Sequence, residues 1–197
     1  MLDGLLGRRF SSKCKSLIKI TKTRIDAIRR KRNAMQKFLK KDIADLLAND
    51  LDTNAVLLCL VVQQAQGLII ELNHSSCYDF VEQFCGCISK HLSIMQKQRE
   101  CPEECREAVP SLISAAARFA DLPELRDLRH ILTEKYGNSL ESFANQEFVE
   151  KLASKPPTTD KKLQLLRNIA QEFSIKWDSK AFEQKIYNPP ASAHVSL

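Results

Sequence analysis

Seven cysteines and four histidines are the side chains of this 197-residue chain with the widest chemical range. Cys85-Gly86-Cys87 and Cys101-x3-Cys105, with His91 between them, carry the ligand types of a structural zinc centre. Such centres are built from paired Cys-x2–4-Cys or His-x3–5-His units. A Cys-x-Cys pair on a helix turns its two thiols to different sides, because the helix has 3.6 residues per turn. Val81, Cys85, Ile88 and Leu92 also put Cys85 on an apolar stripe. The expectation is therefore buried, reduced core thiols, with no metal and no cofactor. Cys101, read as the start of a helix, is the one thiol whose position offers an alternative reading, a lowered pKa with sensitivity to oxidation.

Catalysis finds no support in the remaining residues. His74, His91, His130 and His194 are far apart in sequence, and neither a Gly-x-Ser-x-Gly nor a Gly-x4-Gly-Lys-Ser/Thr motif is present. Glu103, Glu104 and Glu107 fit the electrostatics of a helix start better than acid–base work. No enzyme activity and no small-molecule substrate are expected.

Charge is the stronger signal. The net charge is +6, but residues 1–50 carry +9 and residues 51–197 carry −3. Between positions 8 and 32 lie eleven basic residues and one acid, Asp26. The basic residues are Arg8, Arg9, Lys13, Lys15, Lys19, Lys22, Arg24, Arg29, Arg30, Lys31 and Arg32. Such a segment suits an anionic partner: a phospholipid surface, nucleic acid or an acidic protein face. Self-association, basic element on acidic body, and a merely solvated face are the other readings. Phe10 is the only aromatic in this segment, which gives base stacking little support.

The elements that carry these charges read as helices. Five glycines in 197 residues are too few for a Gly-rich phosphate loop or a dinucleotide fold, and no strand alternation stands out. Residues 8–66 hold neither Gly nor Pro. There Cys14, Leu17, Ile18, Ile25, Ile28, Met35, Phe38, Leu39, Ile43, Leu46 and Leu47 suggest one apolar stripe. A helix over 8–49 would run about 63 Å at about 1.5 Å per residue. After a polar break at 49–53, capped by Asp52 or Thr53, a second helix is expected over about 53–99. Its stripe is Leu68, Ile69, Leu72, Tyr78, Val81, Phe84, Cys85, Ile88, Leu92 and Met95, with a bend or fraying at Asn73–Ser76. The pair should form an antiparallel hairpin.

Shorter helices should follow. The third has Cys101 as N-cap and is ended or kinked by Pro110, then continues over Ser111–Phe119. The fourth spans Leu122–Tyr136, capped by Asp121 and stopped by Gly137. The fifth covers Ser139–Ala153, the sixth runs from Thr159 or Asp160 to about Phe173, and a last short one spans Trp177–Tyr187. Residues 188–197 read as a disordered tail behind a helical domain over 1–187. The longest apolar run, Ala55–Val62, is far short of a membrane span. With no secretory h-region near the start, a soluble cytoplasmic chain is expected.

Several runs together resemble a known family. They are Lys40-Lys41-Asp42-Ile43-Ala44-Asp45-Leu46-Leu47, Leu68-Ile69-Ile70-Glu71-Leu72, Tyr78-Asp79-Phe80-Val81-Glu82 and Cys101-Pro102-Glu103-Glu104-Cys105-Arg106-Glu107-Ala108. To these are added the run from Ala115 to Leu125 and Glu134-Lys135-Tyr136-Gly137. The set resembles the increased-sodium-tolerance family, ESCRT-III-like regulators of the vacuolar-sorting AAA ATPase in the multivesicular-body pathway. The later runs are similar to its plant branch.

The resemblance implies an all-α, ESCRT-III-like core: a long helical hairpin with four or five shorter helices packed against it. It implies binding to an ESCRT-III subunit of the charged-multivesicular-body class, a homo- or hetero-polymer on anionic membranes of endosomes, and modulation of AAA ATPase recruitment. The basic residues named above would form the membrane-facing surface. Glu103, Glu104, Glu107, Asp121, Glu124 and Asp127 would meet that surface on a neighbouring subunit, an inference from charge separation. Family members commonly carry a longer C-terminal extension with leucine-containing motifs that bind MIT domains. This chain stops at Leu197, so direct MIT-domain binding through such a motif is not expected of it. Where relatives have a charged segment with Arg and Glu, this chain has the apolar stretch Val56–Gln66.

Overall fold

The structure, a computed structural model, describes residues 2–49, 55–137, 140–153 and 155–187. The expected caps Asp52 and Thr53, the start at Ser139 and the tail 188–197 lie outside the described residues. Among those described there is no strand. The helices are α1 (Leu2–Ala48), α2 (Ala55–Lys97), α3 (Ala108–Ala115), α4 (Glu124–Tyr136), α5 (Gln146–Leu152), α6 (Thr159–Glu172) and α7 (Ser179–Tyr187), with 3-10 turns at Glu103–Cys105 and Glu141–Phe143.

The chain divides into two compact units. The first holds Met1–Arg32 and Asn73–Lys155, the second Asn33–Leu72 and Pro156–Leu197. Both long helices thus contribute to both units.

In the first unit α1 and α2 run antiparallel. Lys22 lies against Gly86, Arg29 bonds Asp79 and Glu82, and Arg32 reaches Tyr78, so numbers rise on one helix as they fall on the other. The apolar stripe of α1 (Cys14, Ile18, Ile25) and that of α2 (Cys77, Val81, Cys85, Ile88, Met95) are fully or almost fully buried. Leu112 of α3, Leu125, Leu128 and Leu132 of α4 and Phe148 of α5 complete this core. Phe148 packs edge-on against Phe84, centroids 5.4 Å apart, and lies 5.7 Å from Phe80. Aromatic pairs at such separations add to area burial.

The second unit has its own core. Ile43, Ala44 and Leu47 of α1 and Val61, Ala65 and Leu68 of α2 pack with Leu163, Leu166 and Ile169 of α6 and Phe182 of α7. Thr158 caps α6, its hydroxyl accepting from the Lys161 N–H. Asp178 does the same for α7 through the N–H groups of Lys180 and Ala181. Each cap satisfies donors that the first helical turn leaves unpaired.

Several expectations are corrected. Met35 and Phe38 are exposed, at 54% and 70%, not part of the α1 stripe. Phe38 lies five residues before the buried Ile43, which at 3.6 residues per turn is a different face. Asn73–Ser76 does not fray α2, which is helical throughout there. Ser76 returns its hydroxyl to the Asn73 carbonyl, and His74 stacks on Phe119. Pro110 does not end or kink a helix. It is the third residue of α3, in the first turn, where a missing N–H costs little. Asp121 does not cap α4, whose N-cap is Pro123. Gly137 does end α4, with a φ of 65° that a residue with a side chain rarely adopts.

The apolar half of α2 also departs from expectation. By length and composition α2 includes a stretch apolar enough to cross a membrane. Counting consecutive apolar residues hid this, because Gln63, Gln64 and Gln66 interrupt the run without adding charge. Val61, Ala65 and Leu68 of this stretch enter the core of the second unit, whereas Val56, Cys59 and Leu60 are exposed.

Candidate interaction surface

The basic face of α1 follows from helix geometry. Cys14, Ile18, Thr21 and Ile25 mark the buried side. At 3.6 residues per turn, Arg8, Arg9, Lys13, Lys15, Lys19, Arg30 and Lys31 project from the opposite side. All seven are exposed, and no ion pair reaches them among the described residues. Their mutual repulsion is tolerated because water screens charges on an open surface.

The other four basic residues are engaged within the first unit. Arg24 forks onto Glu124, with Nε 3.0 and 3.1 Å from the two carboxylate oxygens and Nη2 2.7 Å from Oε1. Arg29 gathers three acids, Asp79 and Glu82 at 2.7 Å and Asp26 at 3.2 Å. Arg32 lies over the Tyr78 ring, 5.1 Å from its centroid, and donates to the Tyr78 hydroxyl. Lys22 is half-buried, with Nζ in van der Waals reach of the space beside Gly86. Arg24, Arg29 and Arg32 spend their charge on the fold, whereas Lys22 flanks the packed side with no ion pair among the described residues.

The acidic residues divide in the same way. Glu124 is buried, and Asp121 accepts a hydrogen bond from the Tyr78 hydroxyl. Glu107 accepts from Asn145, and Glu103 pairs with Arg106 one helical turn on. Glu104 and Asp127 are exposed. Arg24 and Glu124 were placed by sequence on the surfaces of two neighbouring subunits; the structure joins them inside one molecule. An isolated sequence carries no sign of this, because the partners are 100 residues apart.

Electrostatics follow the packing. Burial tends to raise the Glu124 pKa, but the Arg24 guanidinium and the residue's own backbone N–H outweigh it, and the carboxyl is held below its usual value. Burial pushes the Tyr78 hydroxyl up, and its bond to Asp121 adds to the effect. The thiols behave likewise. Burial raises Cys14 and Cys85 to about 12 and Cys77 to about 11.

Cys101 is a correction. It is not an N-cap, since Pro102 precedes the 3-10 turn and α3 begins only at Ala108. Its pKa is raised to about 11, chiefly by burial, which goes against the alternative of a thiol activated by a helix start.

Comparisons with known proteins give this architecture a family. A family model described as Ist1, regulator of Vps4 activity in the MVB pathway, matches residues 15–176. An IST1-like protein of Dictyostelium discoideum is 25% identical over 175 residues. The match covers 85% of this chain and 46% of that protein, so the chain spans about half the length of this curated relative. The fold matches the crystal structure of the S. cerevisiae Ist1 N-terminal domain in complex with the Did2 MIM motif. The TM-score is 0.75 at 18% identity, over 86% of this chain and 95% of that one. With its paired long helices, its shorter helices and a family model covering most of its length, this chain belongs to the Ist1 family.

Proposed function

We propose that the chain is a non-enzymatic scaffold and regulator of multivesicular-body sorting, acting as a cytoplasmic protein peripheral to endosomes. It binds an ESCRT-III subunit of the charged-multivesicular-body class and modulates the recruitment of the AAA ATPase that disassembles ESCRT-III. The observation that carries this reading is the family match over residues 15–176. The Did2 MIM motif bound to the yeast domain supports a short motif of an ESCRT-III-related protein as the class of partner.

The exposed charges supply the second contact. Arg8, Arg9, Lys13, Lys15, Lys19, Arg30 and Lys31 form a face for anionic lipid headgroups, where each basic residue near the surface contributes about 1 kcal/mol. Glu104 and Asp127 remain for contacts with the basic face of a neighbouring copy or subunit in a polymer. Single exposed pairs contribute little, so such a polymer needs many contacts in register.

Pull-down of the full chain against a panel of ESCRT-III subunits and their C-terminal peptides tests the proposal. Retention of at least one subunit through its C-terminal peptide is expected. Failure with every subunit, together with tight binding of nucleic acid by the same protein, would replace it with a nucleic-acid-binding module that uses the same basic helix.

A further inference from the structure

Three side chains in the first unit converge outside the basic face. Cys87 and His91 are one helical turn apart on α2, and Cys105 ends the 3-10 turn that follows it. One ligand atom from each lies within 4.8 Å of the others. Cys87 Sγ is 3.9 Å from Cys105 Sγ and 4.0 Å from His91 Nδ1; the thiol now donates to the Glu104 carbonyl at 3.0 Å and Nδ1–H to the Cys87 carbonyl at 2.9 Å, bonds that an ion would replace. In a tetrahedral zinc site with bonds of about 2.3 Å, two thiolate sulfurs sit roughly 3.8 Å apart. The sulfur pair therefore has the separation that one ion requires.

The spacing matches as well, once the right pair is read. Cys85, the nearer partner in sequence, is fully buried in the apolar core and is not one of the three converging residues. Cys87-x3-His91 is an i, i+4 pair on one face of α2, and Cys105 comes from the 3-10 turn after that helix. Cys101 is half-buried and its thiol donates to the Pro102 carbonyl, outside the group of three. The fourth position is left to solvent.

We propose that Cys87, His91 and Cys105, with a water molecule as fourth ligand, form a site for a thiophilic divalent cation of the zinc class. Soft thiolates combined with imidazole favour zinc over the hard cations magnesium and calcium. Cys87 and His91 are half-exposed, which leaves the ion a path from solvent, while Cys105 is fully buried. On binding, each ligating thiol releases its proton to solvent and its sulfur lone pair bonds the ion; no oxidation occurs. Burial and the neighbouring thiols hold Cys105 in its neutral form. A dication reverses that penalty, since the thiolate is the ligand. The ion would tie α2 to the segment leading into α3.

Cobalt titration of the full-length reduced chain, stripped with a chelator, tests the site. Thiolate-to-cobalt charge-transfer bands should saturate at one equivalent and disappear when Zn2+ is added. Cys87→Ser and His91→Gln should each weaken Zn2+ binding by more than about 10-fold, the least that loss of even a supporting partner costs. Both positions are half-exposed, and circular dichroism checks that helix content is retained. Cys59→Ser, on the exposed start of α2, should bind like the parent. A reduced protein that stays colourless with one equivalent of Co2+, or a Cys87→Ser variant that binds as tightly as the parent, overturns the proposal.

Discussion

Arg24 of α1 and Glu124 at the first turn of α4 form a two-pronged ion pair across 100 residues of sequence, with the shortest contact at 2.7 Å. The carboxylate is 9% exposed while the guanidinium is 44% exposed. The pair pins the start of α4 to the long helix at its wet edge. Planar fork-on-fork geometry makes it stronger than an ordinary surface contact.

Glu124→Gln should lower the urea midpoint without changing the slope of the transition, because one contact is lost and the folded surface is not. The pH dependence has a definite sign. Glu124 is held below its ordinary value in the folded chain. Its contribution is therefore complete above the unfolded pKa of about 4.3 and fades as pH falls through the lower folded value. The stability gap between parent and variant should be widest at neutral pH and close on acidification. A gap that stays constant to low pH would contradict the assignment.

Charge reversal on the open face of α1 should abolish membrane binding without unfolding the helix. In the triple variant Lys13→Glu, Lys15→Glu, Lys19→Glu, all three sites are exposed. At about 1 kcal/mol per basic residue, losing three and gaining repulsion should weaken vesicle binding by more than about 100-fold. Sedimentation with phosphatidylserine-containing vesicles measures this, and circular dichroism checks helicity. Arg29→Glu should instead destabilise the fold, because Asp79 and Glu82 would face a third carboxylate.

Asn145 joins two elements. Its side-chain oxygen accepts from the Phe148 N–H at 2.7 Å, its amide donates to Glu107, and its backbone N–H donates to the Ser111 hydroxyl. Asn145→Ala should cost about 1–2 kcal/mol, the upper range for a helix cap. Phe148→Ala, which empties the site between Phe80 and Phe84, should cost about 3–5 kcal/mol. Chemical denaturation ranks the two, and a larger loss at Asn145 would show that the cap outweighs the packing.

Thiol chemistry should divide the cysteines by burial. At pH 8 a thiol with a pKa of about 12 is ionised in only about one molecule in ten thousand, and the thiolate is the nucleophile. Cys14 and Cys85, both raised to about 12, should stay unmodified by a disulfide reagent in the folded protein, while the exposed Cys59 reacts. Adding denaturant should release the buried thiols. Rapid labelling of Cys14 without denaturant would show that the first core opens easily.

Much of this arrangement is visible in particular residues. The stripe Cys14–Ile18–Ile25 and its counterpart Val81–Cys85–Ile88 follow from local periodicity, and both are buried. The cap at Thr158 and the stop at Gly137 are short-range features that fall close to where local rules put them. Met35 and Phe38 were misplaced because steps of three and four, chained over a long helix, drift around its axis. Cys101 was misplaced because Pro102 looks the same before a 3-10 turn as before an α-helix.

The amino-acid order alone determined the helical class, the apolar faces of the two long helices and the concentration of positive charge in the first of them. These depend on neighbours three to seven positions apart, and helix geometry is the same wherever the helix lies. Tertiary structure decided which charges remain open and which thiols meet. Arg24, Arg29 and Arg32 find acids or a ring on other helices, whereas Lys13, Lys15 and Lys19 do not. Cys87 meets Cys105 rather than Cys85 for the same reason. Long-range partners are set by how side chains pack between helices, and that packing depends on residues tens to a hundred positions apart.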